Sequence, residues 1–165
     1  MGDAFSSLPV AADRAGLLDP ARITAMDGMA YLRGLVEGRF PHPPLAGLIG
    51  YRVVAADPAE VVVRAIADER HLNPMGGVHG GWYGSVLDSA LGCAVMTAVR
   101  AGHWYTTLEY KVNLTRALPV GVEVEAVGTL RHGGLRTGVA EAVMRGRADG
   151  RIYATGSTTC LIMEG

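Results

Sequence analysis

Residues 80–99 read GGWYGSVLDSALGCAVMTAV, and the organisation of the whole chain turns on how that run is understood. Apolar residues fall on every side of a helix drawn through it, so it predicts a helix over residues 80–100 that is hidden from water all round. Its length approaches the ~20 residues of a membrane span. Asp88, however, stands near its middle, where a carboxylate costs roughly 2.5–3.5 kcal/mol on insertion scales. Ser85, Ser89 and Thr97 add further polarity. The run is therefore read as the central helix of a water-exposed domain, and no membrane association is expected.

Working outward, the segments that could hide such a helix are β-rich. Downstream, residues 104–115, 122–131, 136–147 and 151–162 read as strands. In the second of these Val122, Val124, Ala126, Gly128 and Leu130 alternate with mostly polar residues, the pattern of a half-buried antiparallel strand. Asp149-Gly150 is a hairpin turn between the last two. Upstream, residues 48–56 and 60–67 are rich in valine and isoleucine, with Asp57-Pro58 turning between them. Before these, Asp19-Pro20 starts a helix assigned to residues 19–40 and ended by Pro41, Pro43 and Pro44. Residues 1–18 read as a flexible arm, and 19–165 as one domain. The class is α+β, a long central helix wrapped by a five- to six-stranded antiparallel sheet.

Composition narrows the function. The chain has 165 residues, 49% hydrophobic, with a mean hydropathy of +0.22. That is rich for a small monomer and predicts an apolar subunit interface. The formal net charge of -1 leaves no field for nucleic acid, and no basic block stands out. Cys93 and Cys160 form no CxxC pair and have no histidine cluster, so neither a disulfide framework nor a metal site is expected, and a reducing cytoplasm is. No cofactor is implied.

The chemistry concentrates in His71-Leu72-Asn73-Pro74-Met75-Gly76-Gly77-Val78-His79-Gly80-Gly81, followed by Asp88. This segment resembles the signature of the hotdog-fold thioesterases of the phenylacetate-pathway type, Asn-x5-His-Gly-Gly-x6-Asp/Glu. Thr107-x-Glu109, the Gly133-Gly134 turn and Ala154-x-Gly156-x-Thr158 also look like that family's pattern. The resemblance runs from about residue 45 to 162. It implies a hotdog fold, an acyl-CoA substrate, a homodimer and, as a pair of dimers, a homotetramer.

Thioester hydrolysis develops negative charge on the carbonyl oxygen and needs donors already in place. Gly80 and Gly81 open the long helix, where N–H groups lack intrahelical partners and the dipole is positive. Asp88 would act as general base on water or as nucleophile, two roles that the sequence leaves open. Gly80 and Asp88 lie eight residues apart, hence roughly 12 Å on one helix, too far to serve one carbonyl. The resemblance implies the solution: Asp88 of one subunit faces the Gly80 end of the other. It also implies that Asn73 positions substrate or water, that His79 sets the loop entering the helix, and that Thr107 holds the attacking group. Thr106 is an alternative to Thr107, since alternation turns only one inward.

Gly84 and Gly92 lie four residues either side of Asp88, and Ser85 three before, on the same helical face. They either leave room for a thioester or let the helix pack closely on the sheet. Trp82, Tyr83 and Trp104 are candidates for an acyl pocket. Arg116, Arg131 and Arg136 are candidates for the CoA phosphates, although Gly133-Gly134-Leu135-Arg136 departs from the commoner Gly-Arg-Arg form. A Ser-His-Asp triad is excluded for want of a nucleophile elbow. Two other readings on the same fold remain: a non-catalytic acyl-CoA-binding or sensing protein, and a dehydratase with differently spaced catalytic residues.

Overall fold

The computed structural model describes residues 4–165. Helix α4, Gly80–Met96, is the axis of the molecule, and eleven of its residues, from Trp82 to Met96, are buried. It stops four residues short of the expected end. Thr97 turns its hydroxyl back onto the Ala94 carbonyl (2.7 Å), and the chain reverses at Gly102, whose φ is +81°. Among the described residues no helix is long and apolar enough to cross a membrane.

Around α4 curls one antiparallel sheet of six strands in the order β1-β2-β4-β5-β6-β3. The strands are β1 Tyr51–Asp57, β2 Glu60–Ile66, β3 His103–Leu114, β4 Glu123–Gly133, β5 Thr137–Gly146 and β6 Ile152–Glu164. This is the hotdog arrangement expected from the sequence. The alternation in β4 works as read: Val124 and Ala126 are fully buried against α4. At Gly128 a Cβ would collide with the Ala90 carbonyl, so glycine there lets sheet and helix backbones touch. Asp57 pairs with Glu60 across a two-residue turn in which Ala59 takes a φ of +69°.

Two upstream expectations need correction. The helix assigned to residues 19–40 is two helices, α1 Pro20–Thr24 and α2 Gly28–Val36. The break has a cause in sequence: the Asp27 carboxylate accepts from the Ala30 N–H (2.8 Å), starting a new helix. Gly28 meanwhile sits so close to the Met96 carbonyl that no side chain fits. Residues 48 and 49, expected to open the first strand, instead end a further helix, α3, Pro44–Ile49. Pro44 occupies its first turn, and Gly50, with φ +77°, ends it, so β1 starts only at Tyr51.

The arm is packed where it is described. Phe5 and Ala11 are buried, and Val10 bridges His42. The flexibility expected for residues 1–3 falls outside the described residues. His42 itself is fully buried: its Nδ1 donates to the Pro9 carbonyl (3.2 Å), and its Nε2 accepts from the Val53 N–H (2.9 Å). One neutral imidazole thereby ties the arm to β1. Because the sheet curls, its two edge strands β1 and β3 both border α4. Helix α2 packs on β1 and sets the Tyr31 ring edge-on to Trp104 of β3, with centroids 5.7 Å apart.

Candidate active site

One face of α4 carries Gly80, Gly84, Asp88 and Gly92 at steps of four, and β3 runs antiparallel along it. Built Cβ atoms show the pairing: Gly80 faces Leu114, Gly84 faces the Tyr110 hydroxyl, and Gly92 faces the Tyr105 ring. Asp88 faces Thr107, whose Oγ1 donates to Oδ1 at 3.1 Å. The strand keeps pace with the helix by one irregularity. Thr107 pairs with Cys160 and Glu109 with Thr159, so Leu108 is an extra residue, a β-bulge. It shifts the inward positions from 105 and 107 to 110, 112 and 114.

Thr107, not Thr106, is therefore the hydroxyl at the carboxylate. Thr106 is exposed and makes no hydrogen bond to Asp88. Of the two readings of the small residues around Asp88, this side shows close packing, because tyrosines cover it. A methyl on Gly92 would clash with Tyr105, and one on Gly84 would come within 3.2 Å of the Tyr110 hydroxyl. Gly92 is a packing glycine. Gly84 is tight too, but against the far end of a half-exposed side chain.

Space lies instead on the other flank. A cavity of about 290 Å³ adjoins Asp88, lined by Ser89, Cys93 and Met96 of α4, Tyr51 and Val53 of β1, and Trp104 and Tyr105 of β3. Tyr31 and Leu35 of α2, with residues 42, 43 and 45, complete the wall. Burial in this setting pushes the Asp88 carboxyl above its ordinary range, and the Thr107 hydrogen bond opposes the rise only in part. With Oδ1 engaged by Thr107, Oδ2 is the oxygen left for a water or a carbonyl.

The second half of the motif sits at the start of α4. His79 is the N-cap, and its Nδ1 accepts from the Gly81 N–H (2.9 Å). That bond withdraws Gly81 as an oxyanion donor and leaves Gly80, whose N–H has no intrahelical acceptor. It also fixes the neutral His79 proton on Nε2. Asn73 lies in the preceding loop, where its Oδ1 accepts from the Met75 and Gly77 N–H groups (2.9 and 3.2 Å). Its side-chain nitrogen lies beside Gly77 of the same loop, 3.4 Å from where a Cβ on that glycine would stand. Ser85 donates to the Gly81 carbonyl (2.9 Å), which ties the hydroxyl to the helix. His79, Gly81 and Ser85 border an open cleft with Arg70, His71 and Trp82. The two halves of the motif occupy two different clefts of one chain.

The remaining candidates divide. Trp82 and Tyr83 are buried braces: the indole donates to the Ile49 carbonyl (2.8 Å), and the Tyr83 hydroxyl accepts from the Leu118 N–H (2.8 Å). Only Trp104 of the three aromatics lines the Asp88 cavity. Arg116 and Arg136 are exposed. Arg136 borders a depression with His103 and Leu135 at the β5–β6 end of the sheet, and Arg131 is paired with Glu141 (2.8 Å). Tyr31, His42 and Tyr51 went unread in the sequence, since nothing in their spacing links them to Asp88, and Ser89 was read only as polarity in the helix.

Comparison with known proteins agrees with this fold. Residues 75–154 match the family model described as the thioesterase superfamily. A conserved protein of Pseudomonas aeruginosa is 30% identical over 72% of this chain and 93% of that one, with a TM-score of 0.67. A putative thioesterase of Ralstonia eutropha, described as phenylacetic acid degradation-related, is 26% identical over 79% of this chain and 98% of that one, with a TM-score of 0.72. A hypothetical thioesterase of Streptococcus pneumoniae, solved with coenzyme A, shares the fold at 23% identity, covering 70% of this chain and 87% of that one (TM-score 0.63). Among curated proteins no sequence matches. The chain belongs to the thioesterase superfamily, in its hotdog-fold branch that includes proteins of phenylacetic acid degradation.

Proposed function

We propose that this protein is an acyl-CoA thioesterase, active as a homodimer in which Asp88 of one chain works with Gly80 of the partner subunit. The observation that carries the reading is the half-buried Asp88–Thr107 pair opening on a cavity, its carboxyl raised toward the range useful to a general base. Oδ2 takes a proton from water while the water oxygen attacks the thioester carbon. The Gly80 N–H and the Asn73 amide of the partner subunit hold the developing oxyanion. The C–S bond then breaks, releasing a carboxylic acid, and the CoA thiolate regains a proton. Should Asp88 attack directly, the same donors serve an anhydride, which water opens.

Dimerisation is supported by the β3 edge. Its backbone groups are unpaired on one side, and Leu108, Tyr110 and Leu114 are exposed along it. An antiparallel neighbour there would run a second α4 past the first, setting Asp88 near the other chain's helix start. The pneumococcal complex supports coenzyme A as a carrier that this fold can accept. The free thiols Cys93 and Cys160 fit a reducing compartment.

Complementation tests the arrangement. Asp88→Asn and Gly80→Val chains, each inactive alone, should regain activity when co-expressed, because half the dimers are mixed and each mixed dimer has one intact site. Thiol release from acyl-CoAs should reach about a quarter of wild type. No recovery from verified mixed dimers would sink the shared site.

A further inference from the structure

Asp88 is not the only partner of Thr107. Behind that threonine, strand β6 presents Thr158 and Cys160, two residues apart and so on one face of the strand, and both are buried. The register sets Cys160 directly opposite Thr107, and Thr158 opposite Tyr110. Thr107 and Tyr110 are three residues apart while their partners are two apart. The bulge at Leu108 takes up the difference.

Both β6 side chains bond across to β3 at this irregularity. Thr158 Oγ1 donates to the Glu109 carbonyl at 2.6 Å, a short bond to the residue just past the bulge. An extra residue disrupts the ladder locally, so a side-chain bond there holds the bulge in its place. The Cys160 thiol lies 3.9 Å from the Thr158 hydroxyl and is hydrogen-bonded to the Thr107 hydroxyl as well. Its direction follows from the protons present. Thr158 gives its one hydroxyl proton to Glu109, and Thr107 gives its own to Asp88 at 3.1 Å. The thiol proton is the one left, and a hydroxyl oxygen receives it. Pointed at the Thr107 oxygen, it keeps the Thr107 proton turned to Asp88. Burial, helped by the charges of Asp88 and Glu109, holds the thiol above its ordinary pKa despite its hydrogen bonds to the two threonines. It therefore stays a protonated donor.

We infer that Thr158 and Cys160 are positioning residues of the Asp88 site. Thr158 holds the bulge that turns Thr107 inward, and the Cys160 thiol fixes the Thr107 hydroxyl as a donor to the carboxylate. Oδ1 thus stays occupied, and Oδ2 is the oxygen that meets water. Neither residue touches substrate or a reacting atom. The inference rests on the thioesterase reading of Asp88 and deepens it, by naming what stands behind the carboxylate.

The acid limb of the pH–rate profile reads this arrangement, because the Thr107 hydrogen bond favours the ionised carboxylate. Tyr51, Cys93, Tyr105 and Cys160 also feel the Asp88 charge, but burial holds each above its ordinary range, so all are neutral on the acid side. His42 lines the same cavity and titrates at about 4 in every variant alike, so movement between variants is the measure.

The test uses the best substrate of an acyl-CoA panel. Cys160→Ala should lower kcat about two- to fivefold, leave KM unchanged and move the acid limb to higher pH. Cys160→Ser returns a donor and should bring the limb back. Thr158→Val, which keeps the shape and removes the bond to Glu109, should displace the limb in the same direction. If that variant does not fold, the two Cys160 variants decide. A Cys160→Ala limb left at the wild-type pH, whatever the melting temperature, overturns the inference, and so does a Cys160→Ser limb that stays displaced. Carboxyl 13C NMR of Asp88, assigned by its loss in Asp88→Asn, separates the two proposals. A wild type that hydrolyses no acyl-CoA, yet whose Asp88 titration moves up in Cys160→Ala and returns in Cys160→Ser, refutes the thioesterase reading and leaves the positioning standing. Brisk turnover with an unmoved titration does the reverse.

Discussion

The start of α4 and its middle are built from one helix yet do opposite physical jobs. At the start, His79, Gly80 and Gly81 are exposed, and the useful groups are backbone N–H donors offered by a helix end. At the middle, Asp88 is half-buried, and the useful group is a carboxylate whose proton affinity is raised by burial. A helix end cannot take up a proton, and a buried carboxylate cannot stabilise an oxyanion. On the proposed reading each cleft is half of an acyl-transfer site, and neither is sufficient in its own chain.

Asp88→Asn is the hardest test of that division. It should cut kcat by 10² or more, because the donors at the helix start remain but nothing accepts the proton. It should also leave the fold intact or slightly firmer at neutral pH. A carboxyl whose folded-state pKa is raised costs stability once pH exceeds its unfolded value, and asparagine removes that cost. Near-wild-type turnover in a thiol-release assay would collapse the distinction between the two clefts.

His42 probes what holds the cavity beside the middle of α4. Burial, with a smaller contribution from Arg52, lowers its pKa from 6.5 to about 4, against the hydrogen bond donated to the Pro9 carbonyl. As pH falls below 6.5 the unfolded chain takes up a proton that the folded chain refuses. Stability should therefore drop between pH 6.5 and 4, by as much as ~3 kcal/mol, and level off below. Urea midpoints across that range measure it, and His42→Gln should flatten the profile. A flat wild-type profile would mean that the arm is not clamped as described.

Packing along the two ends can be compared directly with alanine. Gly92→Ala, which drives a methyl into Tyr105, should cost about 1–3 kcal/mol by thermal melting. Gly84→Ala should be nearly neutral, because the Tyr110 hydroxyl it meets can swing outward while the helix gains about 1 kcal/mol of propensity. Equal losses at the two positions would show that α4 meets β3 alike along its length. A change of another kind is expected from Thr107→Val. Without its hydrogen bond the Asp88 pKa rises further, so the acid limb of the pH–rate profile should move to higher pH, with turnover at the optimum about tenfold lower. An unmoved acid limb would detach Thr107 from the carboxylate.

How much of this was legible in the sequence follows from the range of the forces involved. The central helix and the alternating strands are local patterns, and Asp88, Thr107 and the His79-Gly80-Gly81 start were each found from spacing and resemblance. What was missed depends on contacts between distant segments. Asp27 is a strong cap, but nothing local says that Gly28 beside it must clear the Met96 carbonyl, so α1 and α2 read as one helix. Gly84 and Gly92 are indistinguishable as letters. Only the tyrosines opposite them make one tolerant and the other not. Tyr31 lies 57 positions from Asp88 in the chain, and the cavity uniting them exists only because the sheet curls its edges together.

The bulge at Leu108 has a consequence best put as parity. Before it the odd-numbered residues of β3 look toward α4, and after it the even-numbered ones do. Were all twelve residues to alternate without the bulge, Glu109 would turn inward in place of Tyr110, which now stands against Gly84. A second carboxylate would then lie one helical turn from Asp88, and two like charges at that range resist being ionised together. One uncoupled position in a twelve-residue strand thus keeps the face of α4 down to a single acid, which makes the arithmetic of the strand part of the chemistry.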